Sequence, residues 1–314
     1  EWEEAADGSS MPASCTKRWF WNGGCRLSGG MYTLDADAYP MPEGRFDHTP
    51  DAASYLALAG CLRQQETYDL EGDAAALREI LQWNYQVQRL HPPLDGRKGV
   101  YRVCSSESME GNYYHAPNDP AVVHRFALEE DGYGHVTKAA DVYYPRRGGD
   151  PMTLRVTIAV SDYINETQAY GQTGLYVSGL CYQSRKYEMN GAKPGLVRGR
   201  AAYFTLEQLA EQSARAFEDT AAYGQAFDGD AEQMRLYAWE RSCFWDDAQE
   251  NALAPGAAGR RMLLHHKEEA VYPDSYAAEV YGPYFADDAS RRAYLKRDAG
   301  LGWSDGYWWN TQAV

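Results

Sequence analysis

Between Gly99 and Phe204 apolar and polar residues alternate with a period of two, and no other feature of the chain restricts its fold as much. Leu154, Val156, Ile158 and Val160 alternate with Arg155, Thr157 and Ala159, the pattern of a strand with one core face and one wetter face. Val100–Cys104, Ala121–Leu128, His135–Tyr144, Met152–Tyr163, Leu175–Ser184 and Val197–Phe204 are rich in Val, Tyr, Thr and Ile and are separated by turn residues, so each is predicted as a strand. The links are short: Glu130-Asp131-Gly132 in one place, Arg147-Gly148-Gly149-Asp150-Pro151 in another. Parallel neighbours need long crossovers, so the expectation is an antiparallel meander of about five or six strands.

The flanks show helical spacing instead. Pro50 to Glu66, with Thr49 as cap, places Leu56, Ala59 and Leu62 on one face. Ala74 to Leu90 follows, with Asp73 as cap and Leu77, Ile80, Leu81 and Val87 as its apolar side, ended by Pro92-Pro93. Beyond the strands, Thr205 and Gln208 form a capping box for a helix reaching Tyr223. Ala231 to Asp247 and Ala289 to Asp298 complete the set, with Gly300 ending the last. The expected class is α+β: a central antiparallel meander, roughly residues 99–204, covered by N-terminal and C-terminal helices. Residues 1–48 read as an N-terminal arm with a hairpin, and residues 49–314 as a single α+β domain. Internal boundaries, where the chain has any, belong near Gly96 and Ala254, though neither carries a long polar linker.

Composition narrows the function classes. With 30 basic and 45 acidic residues the net charge is −15, which argues against nucleic-acid partners and anionic membranes, because both need a basic surface. Hydrophobic residues make up 44%, enough for a core, yet no run of ~18 uncharged apolar residues exists to span a membrane. GxGxxG and GxxxxGK[ST] are both missing, so no cofactor is expected. The chain opens at Glu1 rather than Met, and Ala5–Pro12 is small and polar. A cleaved leader or a trimmed terminus explains that start, which points to an extracellular or cell-envelope protein, with the cytoplasm as the alternative. Six cysteines lack CxxC spacing; Cys15 and Cys25, across the Asn22-Gly23 turn, form either a disulfide or two buried thiols.

Four groups of side chains are candidates for chemistry or binding. Asp35 with Asp37, and Glu107 with Glu110, are carboxylate pairs of the kind glycoside hydrolysis uses; Asp35 and Asp37 would share one face of a strand. Cys104 to Ser108 puts nucleophiles in one loop, upstream of His115 and His124 as bases. No metal is expected: His265 and Glu269 could share a helical face as ligands, but the adjacent His265 and His266 would point apart, and the segment reads rather as an exposed charged turn. Trp19 and Trp21, and Tyr307, Trp308 and Trp309, are aromatic clusters suited to stacking on sugars or peptides, or to anchoring the two termini. No GxSxG elbow and no HExxH helix are present.

Two functions follow. The first is a non-catalytic, exported protein that binds a small molecule, a glycan or a protein partner through a sheet face or an aromatic patch; a subunit of a larger assembly would read the same way. The alternative is a carbohydrate-active hydrolase that uses a carboxylate pair.

Overall fold

The computed structural model describes residues 2–3, 13–23, 31–34, 39, 41–71, 74–114, 118–146, 154–166, 176–197 and 200–313. It corrects the expected fold class. Among the described residues the protein is mostly antiparallel sheet, 50% strand against 16% helix, with thirteen strands in antiparallel succession. This is not an α+β fold in which helices cover a meander of five or six strands. The contacts cluster into two units. The first holds residues 1–128, 140–156 and 192–211; the second holds residues 129–139, 157–191 and 212–314.

The first unit begins with β1 (Trp2–Glu3), β2 (Ala13–Phe20), β3 (Arg45–Phe46) and helix α1 (Ala52–Ala57). It continues with β4 (Leu62–Glu71), β5 (Ala74–His91), β6 (Val100–Asn112) and most of β7 (Ala121–Glu130). Here β1, β2, β4, β5, β6 and β7 are antiparallel neighbours in that order, and β3 pairs parallel with β5. The long helix expected from Pro50 is only the six residues of α1, capped by Asp51 and Ser54 in a capping box. The chain after it is β4, and the second expected helix is the 18-residue strand β5. Under α1, Trp21, Leu58 and Val87 form a core with Phe46, Tyr85, Tyr101 and Val103 packed round it.

Strands β8 (Val136–Tyr144) and β9 (Arg155–Glu166) give residues to both units. Then come β10 (Val177–Asn190) and the two-residue pair β11 (Leu196–Val197) and β12 (Arg200–Ala201), where a longer strand to Phe204 was expected. Helix α2 (Leu206–Glu218) has the anticipated capping box: Thr205 N–H donates to Gln208 Oε1 at 3.1 Å and Gln208 N–H to Thr205 Oγ1 at 3.2 Å.

In the second unit β13 (Gln233–Phe244) pairs antiparallel with β10 and with β14 (Leu264–Pro273), so the helix expected over Ala231–Asp247 is a central strand. Helices α3 (Asp274–Tyr281) and α4 (Asp288–Arg297) and the closing strands β15 (Gly302–Ser304) and β16 (Tyr307–Ala313) follow. Ile164, Val177 and Phe244 form one core, and Ala277, Leu295 and Trp308 another. Gly191, just past β10, has φ +71, and a Cβ there would lie 2.5 Å from the Ala231 carbonyl oxygen. Both the left-handed backbone and the clash penalise any side chain, so Gly191→Ala should cost about 2 kcal/mol or more, read as a lower urea midpoint.

Cys15, Cys61, Cys181 and Cys243 form no disulfide among the described residues, and Cys25 lies outside them. No helix of the described residues is long and apolar enough to cross a membrane.

Candidate functional site

Of the carboxylates singled out in the sequence, Glu107 is the one on which several elements converge. It lies on β6 beside a bulge. Asn84 pairs with Glu107 and Tyr85 with Ser105, which leaves Ser106 as the extra residue. An extra residue flips the side-chain parity of a strand. Val103, before the bulge, therefore packs in the core under α1, and Glu107, after it, faces the other way.

The Glu107 side chain is fully buried and both of its oxygens are occupied. Oε1 accepts from Asn84 Nδ2 at 3.0 Å, Arg45 Nη2 at 3.2 Å and Arg45 Nε at 3.3 Å. Oε2 accepts a short bond from the Tyr39 hydroxyl and lies 3.2 Å from His124 Nε2. Arg45 also reaches Glu207 through Nη1. Burial by itself would raise the Glu107 pKa, but the bonds from His124, Tyr39 and Asn84 outweigh it and hold the group down at about 2. Burial pushes His124 the other way for a base, below its ordinary value, against the pull of Glu107. The consistent state is a carboxylate that accepts a hydrogen bond from neutral His124 Nε2–H, with His124 Nδ1 buried and unbonded among the described residues. A carboxylate held this way is a poor proton donor and has no free oxygen for nucleophilic attack.

The other candidates are dispersed. Glu110 is three residues along β6, on the opposite face, where Arg125 Nη1 donates to it at 2.9 Å. Asp35, Asp37 and His115 lie outside the described residues. Trp21 is buried under α1, Trp308 and Trp309 are buried in the second unit, and Trp19 and Tyr307 are half-buried. His265 and Glu269 do not converge: Glu269 pairs with Glu240 and Asn310, while the carboxylate facing a histidine is Glu268.

Sequence reasoning passed over a cavity of about 640 Å³ in the first unit, within the usual size of ligand sites. Tyr32, Tyr113, Tyr144 and Tyr203 line it, together with Arg146 and Lys193. The rings brace each other edge to face, Tyr32 with Tyr113 at 5.7 Å and Tyr144 with Tyr203 at 4.8 Å. The Tyr144 hydroxyl is itself fixed, accepting from Phe204 N–H at 2.8 Å. Tyrosine walls present apolar area with polar tips at low entropic cost, the composition of protein-contact surfaces rather than of an acid–base centre. The 25 tyrosines of the chain were the only hint of it, and composition does not say which of them meet.

Residues 54–190 match the family described as the insecticide toxin TcdB middle/C-terminal region. No curated protein matches the chain. Solved structures do. A chain in the crystal structure of TcdB2-TccC3-Cdc42 is similar at TM-score 0.68 and 19% identity, covering 96% of this chain. One in TcdB2-TccC3 gives 0.67 and 18%, covering 98%, and one in the Photorhabdus luminescens Tc holotoxin pore gives 0.64 and 19%, covering 96%. This chain spans only 15% or 16% of the length of those chains. Together these likenesses establish the fold: over nearly its whole length the protein is built like a segment of the chains in Tc toxin complexes.

Proposed function

We propose that this chain is a segment of a non-enzymatic toxin component and that it binds a second protein rather than turning over a substrate. The observation that carries the reading is the likeness, over 96% of the chain, to part of a chain solved in a complex of TcdB2 with TccC3. The match of residues 54–190 to the TcdB middle/C-terminal family supports it independently. The side chains agree, since the most elaborately held carboxylate, Glu107, ties β5, β6 and β7 together through Asn84 and His124 instead of facing a substrate. The tyrosine-walled cavity supplies contact area, and Arg146 and Lys193 outnumber Asp119 in its lining, which favours an acidic partner segment there. An insecticide-toxin component acts outside the cell that makes it, which agrees with the extracellular placement expected from the sequence.

The test immobilises the 314-residue chain and passes a purified TccC3-type protein over it. Saturable binding is expected, weakened about tenfold or more by Tyr32→Ala combined with Arg146→Glu, a loss of about 1.4 kcal/mol, with the circular-dichroism spectrum unchanged. Absence of saturable binding, or hydrolysis of a glycan panel by the purified chain, would sink the reading.

A further inference from the structure

We propose that Cys243, His266 and Glu268 form a binding site for one divalent transition-metal ion of the zinc class. Cys243 on β13 pairs directly with His266 on β14, and Arg241 pairs with Glu268. Residues two apart on a strand share a face, so a thiol, an imidazole and a carboxylate project to one side of the sheet. Their donor atoms all lie within 4.8 Å of one another.

A bulge makes the arrangement possible. After Cys243–His266 the pairing steps to Phe244–Leu264, and His265 is the extra residue. The two adjacent histidines are thereby brought to one side, with their Nδ1 atoms 2.7 Å apart. In the tautomer in which His266 Nδ1 donates to His265 Nδ1, His266 Nε2 presents a lone pair toward Glu268 Oε1 at 3.5 Å, and a cation between these two acceptors relieves their repulsion.

The distances suit a tetrahedral ion. Metal–nitrogen and metal–oxygen bonds of about 2.0–2.1 Å and metal–sulfur bonds of about 2.3 Å put ligand atoms roughly 3.4 Å (N to O) and 3.6 Å (S to O) apart. His266 Nε2 and Glu268 Oε1 stand 3.5 Å apart, close to the first value; Cys243 Sγ lies 4.0 Å from the other carboxylate oxygen, Oε2, and within 4.8 Å of the other two donors, so a small turn of the thiol is needed to close the set on one ion. Thiolate with imidazole selects zinc, cobalt or copper over calcium and magnesium.

The surroundings orient the donors. Arg241 Nε holds Glu268 Oε2, which leaves Oε1 toward His266. The Arg241 charge is itself met by Asp305 Oδ2 at 2.6 Å, and Ser304 Oγ takes its remaining arm. Such outer contacts fix ligands in position and commonly tune affinity. Cys243 is buried, while the His266 and Glu268 side chains keep 14% and 16% exposure, so an ion can enter and retain water at its fourth position. Bound there, the metal would staple β13 to β14.

The 314-residue chain, stripped with chelator under reducing conditions, is titrated with Co²⁺ and then with Zn²⁺. One equivalent of Co²⁺ should raise a thiolate-to-cobalt charge-transfer band, and one equivalent of Zn²⁺ should remove it and raise the melting temperature. Cys243→Ser should abolish the band, Cys181→Ser at an exposed thiol should leave it intact, and Glu268→Gln should weaken Co²⁺ binding by about tenfold or more. A wild-type chain without the band, or a band that survives Cys243→Ser, overturns the site. If Cys243→Ser does not fold, thiol alkylation of the wild type decides: Zn²⁺ must slow modification of Cys243, and equal rates with and without it overturn the proposal.

Discussion

Replacing Glu107 with alanine is expected to lower the unfolding free energy by about 3–5 kcal/mol, read as a fall in the urea midpoint at unchanged slope. The substitution leaves the Asn84 amide, the Tyr39 hydroxyl and the Nε and Nη2 groups of Arg45 facing a void with no acceptor, with Arg45 still held by Glu207 through Nη1. Unmatched buried donors cost more than the bond is worth, because their desolvation is no longer offset. Glu107→Gln, which keeps the shape and one acceptor oxygen, should cost less. The same residue sets the acid response. Its carboxyl is held at about 2 in the folded protein against an ordinary value of 4.5, so the unfolded chain binds the proton more readily. The stabilisation is therefore complete above pH 4.5 and is lost as the pH falls from there toward 2; at about 1.4 kcal/mol per pKa unit it amounts to roughly 3 kcal/mol. His124 acts in a higher window. Burial keeps it neutral when folded, so stability begins to fall once the pH drops below its ordinary 6.5. Stability measured from pH 7 down to 3 should decline in both windows for the wild type and decline less steeply in the lower one in Glu107→Ala, where Asp131, also held at about 2 by His135 and backbone bonds, still contributes. An unaltered acid profile in the variant would show that the proton is taken up elsewhere.

The errors in reading the sequence have a common physical origin. Strand β5 buries Ile80, Asn84 and Val87, at i, i+4 and i+7, which is the spacing of a helical stripe. It does so because Ile80 and Asn84 face the Glu107 side while Val87 faces the core under α1. A strand that changes its buried face midway imitates the helical period, and the Ala-Leu-Arg-Glu composition of its first half reinforces the error. In β13 a bulge has the same effect: Lys186 pairs with Ala238 and Tyr187 with Leu236, so Tyr237 is extra and the simple alternation is lost. The strands from Ala121 to Asn190 were largely legible because most of them keep to two faces without such a switch, whereas the loop expected over Cys104–Ser108 is part of β6, whose bulge at Ser106 breaks the alternation there. Helix α2 was legible because its capping signal is local. Glu107 was visible as a carboxylate, but its partners at 39 and 45 lie more than sixty residues away in sequence, and no local pattern connects them. His266 was discounted because neighbours on a strand point apart, a rule suspended at the bulge next to it.

Trp309→Ala is expected to cost about 3–5 kcal/mol, the range for truncating a large buried aromatic. Trp309 is 1% exposed, and each part of the indole has a partner. The Arg241 guanidinium lies over the ring at 3.7 Å, Trp239 meets it edge to face at 5.0 Å, and Nε1 donates to the Ser304 carbonyl at 2.9 Å. Tyr284→Ala, at a residue 81% exposed, should stay within about 0.5 kcal/mol and serves as the control. The two readings of the Tyr307-Trp308-Trp309 cluster separate in this experiment. A ligand platform loses affinity on truncation and keeps its stability, whereas a packed anchor loses stability first. The loss should also reach the metal ligands, because Arg241, released from the ring, holds Glu268 less firmly. In whatever fraction of Trp309→Ala stays folded, Co²⁺ binding should weaken along with the midpoint. A variant as stable as the wild type would mean that the ring is not part of the core that closes β13, β14 and β16 together.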